Sequence, residues 1–246
     1  MGVCGQKHYG YYMGDTDRLI CILGMHRSGT SCVTGSLQNS GLMLGDCHTW
    51  NLYNRKGNRE NQAFVDLNDE VLLENGGAWN APPKKAIWSS EKLAKAQSLI
   101  SQNIGQGPFG FKDPRTLLVV DGWKQVFPAI EFVGVVRHPN AVARSLQNRS
   151  DIPQERALAL WYAYNSALLQ EYKKTAFPIL CFDEDEAEFH QKLEQVALNL
   201  TLSSANPEQK FYDESLRTSN RDKQQLDRAM SWKVRRLYKN LLKRCV

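Results

Sequence analysis

The residues best suited to do chemistry follow an apolar segment near the start of the chain. Residues 19–24 read Leu-Ile-Cys-Ile-Leu-Gly, and a short polar loop then leads into a predicted helix. Such a loop frees backbone N–H groups, and the positive end of the helix dipole points the same way, so an anion is stabilised there. The segment predicts a phosphate-binding loop rather than a plain strand–turn–helix. Four residues are expected to offer their N–H groups: Ser28, Gly29, Thr30 and Ser31.

The cation of this loop is not where a nucleotide triphosphatase has it. Gly24 and Gly29 are spaced as in the first half of a Walker A motif, but Thr30 takes the place of the lysine. The basic residue is Arg27, inside the loop. An apolar strand followed by Arg-Ser-Gly-Thr-Ser and a helix resembles the 5′-phosphosulfate loop of the sulfotransferases that use 3′-phosphoadenosine-5′-phosphosulfate (PAPS).

A second segment, residues 130–146, supports this resemblance. It is an apolar strand ending in Arg137, then a turn at Pro139 and a helix that carries Ser145. Sulfotransferases bind the 3′-phosphate of the donor with an arginine at a strand end and a serine eight positions later, which is the spacing seen here. A guanidinium that forks onto phosphate oxygens and a hydroxyl that closes the far side fit that task. The alternative is a surface arginine after a buried strand.

Two further segments match the family in part. Residues 109–115, Phe-Gly-Phe-Lys-Asp-Pro-Arg, resemble the Lys-Asp-Pro of tyrosylprotein sulfotransferases, which implies that Lys112 lies over the transferring sulfuryl group. Asp113 is expected to cap the helix that follows. Residues 54–60 have the Asn-x-x-Gly-x-x-Glu pattern of small sulfotransferase-like proteins and end at Glu60. The late Arg-Lys-Gly-x-x-Gly-x-Trp segment of cytosolic sulfotransferases is not found, so a third ligand of the 3′-phosphate is not assigned.

Apolar runs that alternate with helical patterns predict the elements that hold these residues. The expected fold is α/β, a three-layer P-loop-like arrangement with a mainly parallel central sheet flanked by helices, in one domain covering residues 1–246. Strands are predicted at 18–24, 109–112, 130–136 and 177–182. Helices are predicted at 29–40, 60–75, 90–103, 116–127, 139–149, 153–173 and 186–199.

Composition narrows the cellular setting. The six cysteines show no paired spacing, which favours a reducing compartment. No run reaches the roughly 18 to 20 apolar residues of a transmembrane helix, and the N-terminus lacks a signal-like stretch, so a cytoplasmic protein is expected.

Residues 221–246 hold nine Lys or Arg against two Asp, a net charge of +7 that leaves −2 for the rest. This tail is predicted to form a basic amphipathic helix, with a solvated basic face favoured over a membrane or nucleic-acid contact.

The resemblance implies a metal-free sulfuryl transfer from PAPS to a hydroxyl or amine, which releases adenosine 3′,5′-bisphosphate (PAP). Arg27, Lys112 and the loop N–H groups would stabilise the leaving oxygens. Glu60 is the preferred general base, and His48, in the loop after the first helix, is the other candidate. Glu60 as a simple helix-start residue and an inert His48 are the alternatives.

The acceptor is expected to be a small molecule, glycan or lipid rather than a protein, and no nucleic-acid partner is predicted. Five aromatic residues either line its pocket or belong to the core: Trp50, Tyr53, Trp79, Trp88 and Trp161. Two other functions stay open. A P-loop kinase would need a lysine after Gly29, and a non-catalytic PAP-binding relative would keep the phosphate sites without a working base.

Overall fold

Four short strands form one parallel sheet at the centre of the fold. The computed structural model describes residues 17–49, 57–202 and 230–246. The strands are β1 (Leu19–Gly24), β2 (Phe109–Lys112), β3 (Glu131–Val136) and β4 (Ile179–Cys181), each inside its predicted segment. Their order across the sheet is β2-β1-β3-β4, with every pairing parallel.

Helices connect and cover these strands, so the predicted α/β fold is confirmed. Each of the seven helices predicted before the tail is present within a few residues of its predicted bounds. The described residues form α1 (Thr30–Asn39), α2 (Gln62–Glu74), α3 (Ser90–Ser101), α4 (Thr116–Val126), α5 (Pro139–Ser150), α6 (Gln154–Lys174), α7 (Glu186–Asn199) and α8 (Trp232–Leu242). A basic tail helix was predicted at about 221–246. The structure shows α8 within this range, and residues 221–229 lie outside the described residues. None of these helices combines the length and apolar character needed to cross a bilayer.

The central strand β1 is apolar because both of its faces are buried. Leu19, Cys21 and Leu23 belong to one apolar cluster of the core, and Ile20 and Ile22 belong to the cluster on the opposite face. All carboxyl ends of a parallel sheet lie at one edge. Because β1 is flanked by β2 and β3, the loop that leaves β1 lies between the ends of those two strands.

A buried polar network fixes the segment after β2. The Asn68 amide on α2 donates to Asp113 Oδ2 at 2.9 Å and to Thr116 Oγ1 at 3.1 Å, and accepts from Trp123 Nε1 at 2.9 Å. Asp113 Oδ1 accepts from the backbone N–H of Arg115 and from its guanidinium. The predicted capping role of Asp113 is therefore wrong: α4 has Arg115 as its N-cap without a side-chain capping hydrogen bond, and the Asp113 carboxylate binds the turn just before the helix.

The loop after β1 has a tight, partly left-handed backbone. Arg27 has a φ of 67° and Gly29 a φ of 92°. A Cβ atom on Gly29 would lie 2.3 Å from Cδ2 of Phe182, which follows β4. Glycine is needed at this position for two reasons: the backbone conformation and the aromatic ring packed beneath it.

Replacement of Gly29 by alanine should therefore destabilise the fold more than the same change at Gly76. Gly76 also has a positive φ, 70°, but a Cβ there meets no atom within 4 Å. Gly76→Ala should cost about 1 kcal/mol of backbone strain, and Gly29→Ala about 2 kcal/mol or more beyond that because Phe182 must move. Urea unfolding of both variants measures the difference. Equal losses would show that the ring gives way freely.

Candidate active site

One group of predicted site residues meets at the end of β2. Lys112, the last residue of β2, is 2% exposed, and its Nζ lies 2.7 Å from Glu60 Oε1 and 3.3 Å from Ser31 Oγ. Ser31 is in the first turn of α1. The structure thus brings together the proposed base, a lysine and the predicted phosphate-binding loop, which are up to 81 residues apart in sequence.

Glu60 lies just before α2 rather than inside it, where the helix was predicted to begin. Asn61 is the N-cap of α2, and its side chain accepts from the N–H of Ala63. Helix capping therefore does not account for Glu60. Its carboxylate, with 15% of the side chain exposed, is instead bound by Lys112.

The other group of predicted residues meets at the end of β3. Arg27 Nε donates to Ser145 Oγ at 2.8 Å, and Arg137 Nη1 donates to the carbonyl oxygen of Arg27 at 3.0 Å. Arg137 directly follows β3 and is 6% exposed, and Ser145 lies on α5. The predicted pair eight positions apart is thus placed on the far side of the loop from Lys112.

Positive charge is concentrated at this second group. Burial, followed by the nearby Arg149 and Arg137, lowers the pKa of Arg27 to about 10. Apart from the Ser145 contact, the Arg27 guanidinium makes no hydrogen bond or ion pair with the described residues. Buried cations without compensation are costly. An anionic ligand at this position would relieve both the desolvation and the repulsion.

The loop offers fewer backbone donors than the sequence predicts. The N–H of Ser28 donates to the carbonyl oxygen of Met25 at 3.2 Å, so its prediction as a free anion donor is wrong. The turn that forms the loop uses this N–H group. The N–H groups of Gly29, Thr30 and Ser31 have no backbone acceptor among the described residues, as expected at a helix start. Ser28 Oγ is buried and has no hydrogen-bond partner in the described part of the chain.

Asp183 is a site residue that the sequence analysis missed. It follows β4, and its carboxylate accepts from the backbone N–H of His138 and from the Tyr238 hydroxyl at 3.3 Å. Its Oδ1 lies 3.9 Å from Arg137 Nε. Burial and the nearby Asp183 charge raise the pKa of Tyr238. The signal was available, since Asp183 is a charged residue at a predicted strand end, like Lys112 and Arg137.

His48, the other candidate base, lies beside Glu60 through its backbone. Its N–H donates to the carbonyl oxygen of Glu60 at 3.0 Å, and its carbonyl oxygen accepts from the N–H of Arg59 at 3.0 Å. The residue itself is exposed. His48 is therefore close in space to Glu60, but its side chain, in contrast to that of Glu60, makes no hydrogen bond or ion pair with Lys112 or the loop among the described residues.

The aromatic residues proposed for an acceptor pocket divide into core and loop contacts. Trp161 is fully buried and donates to the carbonyl oxygen of Arg137, and Trp88 packs against Trp123, so both are structural. Trp79 contacts the ring of His26 in the loop after β1, with 4.7 Å between ring centroids. Trp50 and Tyr53 lie outside the described residues.

His26 is a second residue that the sequence analysis missed. Its ring packs against Trp79 and Tyr164, and its Nε2 is shielded from solvent without a hydrogen-bond partner among the described residues. Burial, followed by the cations Arg115, Lys112, Arg149 and Arg27, lowers the pKa of His26 well below its usual value. The imidazole is therefore neutral in the folded protein near neutral pH.

Comparison with known proteins shows the fold. The chain is similar to the sulfotransferase domain from the Synechococcus PCC 7002 olefin synthase, with a TM-score of 0.57, 14% identity, and coverage of 94% of this chain and 97% of that one. It is also similar to sulfotransferase STF1 from Mycobacterium tuberculosis H37Rv, with a TM-score of 0.44, 13% identity, and coverage of 93% and 77%. No protein-family model and no curated protein sequence matches. The first likeness shows an α/β, P-loop-like fold.

His26 should make the stability of the protein depend on pH. With a folded-state pKa below the unfolded value of about 6.5, only the unfolded state gains a proton as the pH first falls through that value. The free energy of unfolding should therefore decrease from about pH 7 downward, by up to about 1.4 kcal/mol per pH unit, until the folded-state pKa is reached.

The measurement is chemical unfolding of the wild type and of His26→Phe in the same buffers. The phenyl ring keeps the contact with Trp79 and removes the titrating group. The decrease between about pH 7.5 and pH 5.5 should be smaller in the variant. Parallel curves would mean that the imidazole reaches water and is not the source of the pH dependence.

Proposed function

We propose that this protein is a sulfotransferase that moves a sulfuryl group from PAPS to a hydroxyl or amine acceptor. The observation that carries the proposal is the pair of side-chain groups on either side of the loop after β1. One contains Lys112 and Glu60, and the other contains Arg27, Arg137 and Ser145. The first has a cation paired with a potential base, and the second has an excess of positive charge. A donor that carries two anionic groups matches this arrangement of cations.

The 5′-phosphosulfate is assigned to the loop. The N–H groups of Gly29, Thr30 and Ser31 have no backbone acceptor, and Ser28 Oγ is a buried hydroxyl without a partner in the described residues. A phosphosulfate group supplies oxygens that satisfy such donors. The cation of the same loop is Arg27, whose pKa is lowered by burial and by the charges of Arg149 and Arg137.

The 3′-phosphate is assigned to Arg137 and Ser145. An arginine at a strand end presents several N–H groups to one phosphate, and the serine hydroxyl adds a donor on the α5 side. The hydrogen bond between Arg27 and Ser145 makes the two phosphate sites contiguous. Asp183 and the cation–π contact with Phe182, 5.3 Å from the ring centroid, fix the orientation of Arg137.

In the transfer step, negative charge develops on the leaving PAP and the acceptor loses a proton. The acceptor oxygen or nitrogen attacks sulfur, the bond from sulfur to the 5′-phosphate oxygen breaks, and the electron pair of that bond remains on the leaving PAP. Lys112 and Arg27 stabilise this developing charge. Glu60 takes the acceptor proton. Because Lys112 binds both Glu60 and Ser31, it aligns the base with the reacting group.

The roles of Arg137 and Ser145 predict a loss of affinity that depends on the 3′-phosphate. Arg137→Ala should weaken the binding of PAP by about 10-fold to 100-fold, since a charged hydrogen bond contributes about 1.5 to 3 kcal/mol. The binding of adenosine 5′-phosphate, which lacks the 3′-phosphate, should be weakened far less. Calorimetry with excess chelator measures both.

Arg18→Ala is the matched control for Arg137→Ala. Arg18 precedes β1 and pairs with Glu131 at the start of β3, at the opposite edge of the sheet. Its loss removes the same charge without touching the site. Equal weakening of both nucleotides in Arg137→Ala would make this arginine structural. Binding of ATP with strict Mg²⁺ dependence, and none of PAP, would indicate a kinase-like protein.

Glu60→Gln should separate catalysis from donor binding. The amide keeps the shape and removes the basicity, so turnover with labelled PAPS and a panel of hydroxyl and amine acceptors should fall about 100-fold or more. The dissociation constant for PAP should change little. Glu155→Gln, the same substitution at an exposed position on α6, is the control.

His48→Ala tests the other candidate base in the same assay. If this variant loses turnover while Glu60→Gln retains it, His48 is the base. If PAP binds but no acceptor is sulfated by the wild type, the protein is a non-catalytic PAP-binding relative.

A further inference from the structure

The C-terminal helix α8 has two faces of different character. Val234, Leu237 and Leu241 are buried in the core cluster to which α6 contributes. The opposite face is exposed and basic, and residues 230–246 contain no Asp or Glu. The exposed cations of α8 and its C-cap are Lys233, Arg235, Arg236, Lys239 and Lys243.

The outward residues form a narrow stripe that begins with an aromatic ring. At 3.6 residues per turn, Trp232, Arg236, Lys239 and Lys243 fall within an arc of about 60°, along about 16 Å of helix. Trp232 is 64% exposed although it is the largest apolar side chain on the helix. Leu242 and Val246, at 39% and 48% exposed, add aliphatic surface at the other end.

We propose that this stripe docks the protein on an anionic phospholipid surface. Lys and Arg side chains in a row attract acidic headgroups, and Trp is the side chain that sits best at the boundary between headgroups and acyl chains. A nucleic-acid backbone would also attract the cations. It offers nothing to Leu242 and Val246, however, whereas the interfacial region of a bilayer receives both.

The packing of the inner face sets the mode of docking. Because Val234, Leu237 and Leu241 are buried in the core, α8 cannot turn these residues toward the acyl chains without unfolding. Only Trp232 and the aliphatic C-terminal end are free to enter the interface. Docking is therefore mainly electrostatic and reversible, and it weakens as salt rises. This docking proposal does not depend on the proposed sulfotransferase function.

Co-sedimentation with vesicles tests this proposal. The full chain should bind vesicles of phosphatidylcholine with roughly one-third phosphatidylserine at about 0.15 M salt, and should not bind phosphatidylcholine alone. Lys239→Gln combined with Lys243→Gln should lower the partition coefficient about 25-fold, since each cation near the surface contributes about fivefold. Lys84→Gln with Lys85→Gln, two exposed lysines outside α8, should leave partitioning within about twofold.

Trp232→Ser isolates the aromatic contribution and should lower partitioning severalfold without changing the salt dependence. Four results would overturn the proposal: no binding to anionic vesicles, an equal loss in the Lys84 and Lys85 control, full binding by Trp232→Ser, or tighter binding to short duplex DNA or single-stranded RNA than to the vesicles. The last would assign the stripe to nucleic acid. Circular dichroism confirms that each variant is folded.

Discussion

The geometry of the site depends on the hydrogen bonds that the buried carboxylate of Asp113 accepts. Burial raises the pKa of this group, while the Arg115 charge and the Asn68 hydrogen bond act in the opposite direction. The carboxylate is therefore tolerated only because it is fully hydrogen-bonded. Its partners come from α2 and from the turn before α4, so the network fixes α2 against the end of β2. Lys112 precedes this carboxylate in the chain and Glu60 precedes α2, and their contact across 52 residues follows from that anchoring.

On the side of the loop that faces the end of β3, the buried charge is positive and has few anionic partners among the described residues. There, the polar side chains are mostly cations, and the folded protein holds Arg27 close to Arg137 and Arg149 at a cost in repulsion. The apolar burial of β1 and β3 and the carboxylate of Asp183 offset that cost. A site of this kind is stabilised by its own ligand, because binding an anion removes a penalty that folding alone leaves in place. Strain in the left-handed backbone of Arg27 adds to the same balance.

The strands and the α/β class were predictable because they depend on local signals. An apolar run that ends in a charged residue marks both the strand and the edge of the sheet at which that residue lies, and this holds for Lys112 and Arg137. The pairing of Lys112 with Glu60 was not predictable, since it depends on where α2 packs. Likewise, the use of the Ser28 N–H within the loop depends on a turn that the glycine spacing does not reveal. His26 was missed because a single histidine gives no sign of its surroundings.

Asp183 shows how the end of the chain becomes part of a site formed by its first half. Tyr238, on the inner side of α8, donates to the carboxylate that lies beside Arg137, and its ring packs against His138. The proposed 3′-phosphate ligand is thus supported by the last helix as well as by its own strand. The sequence resemblance covers roughly residues 19–146 and thins out afterwards, so it gives little information about this support. The hydroxyl of Tyr238 and the carboxylate of Asp183 thus join the last helix to the segment that follows β3.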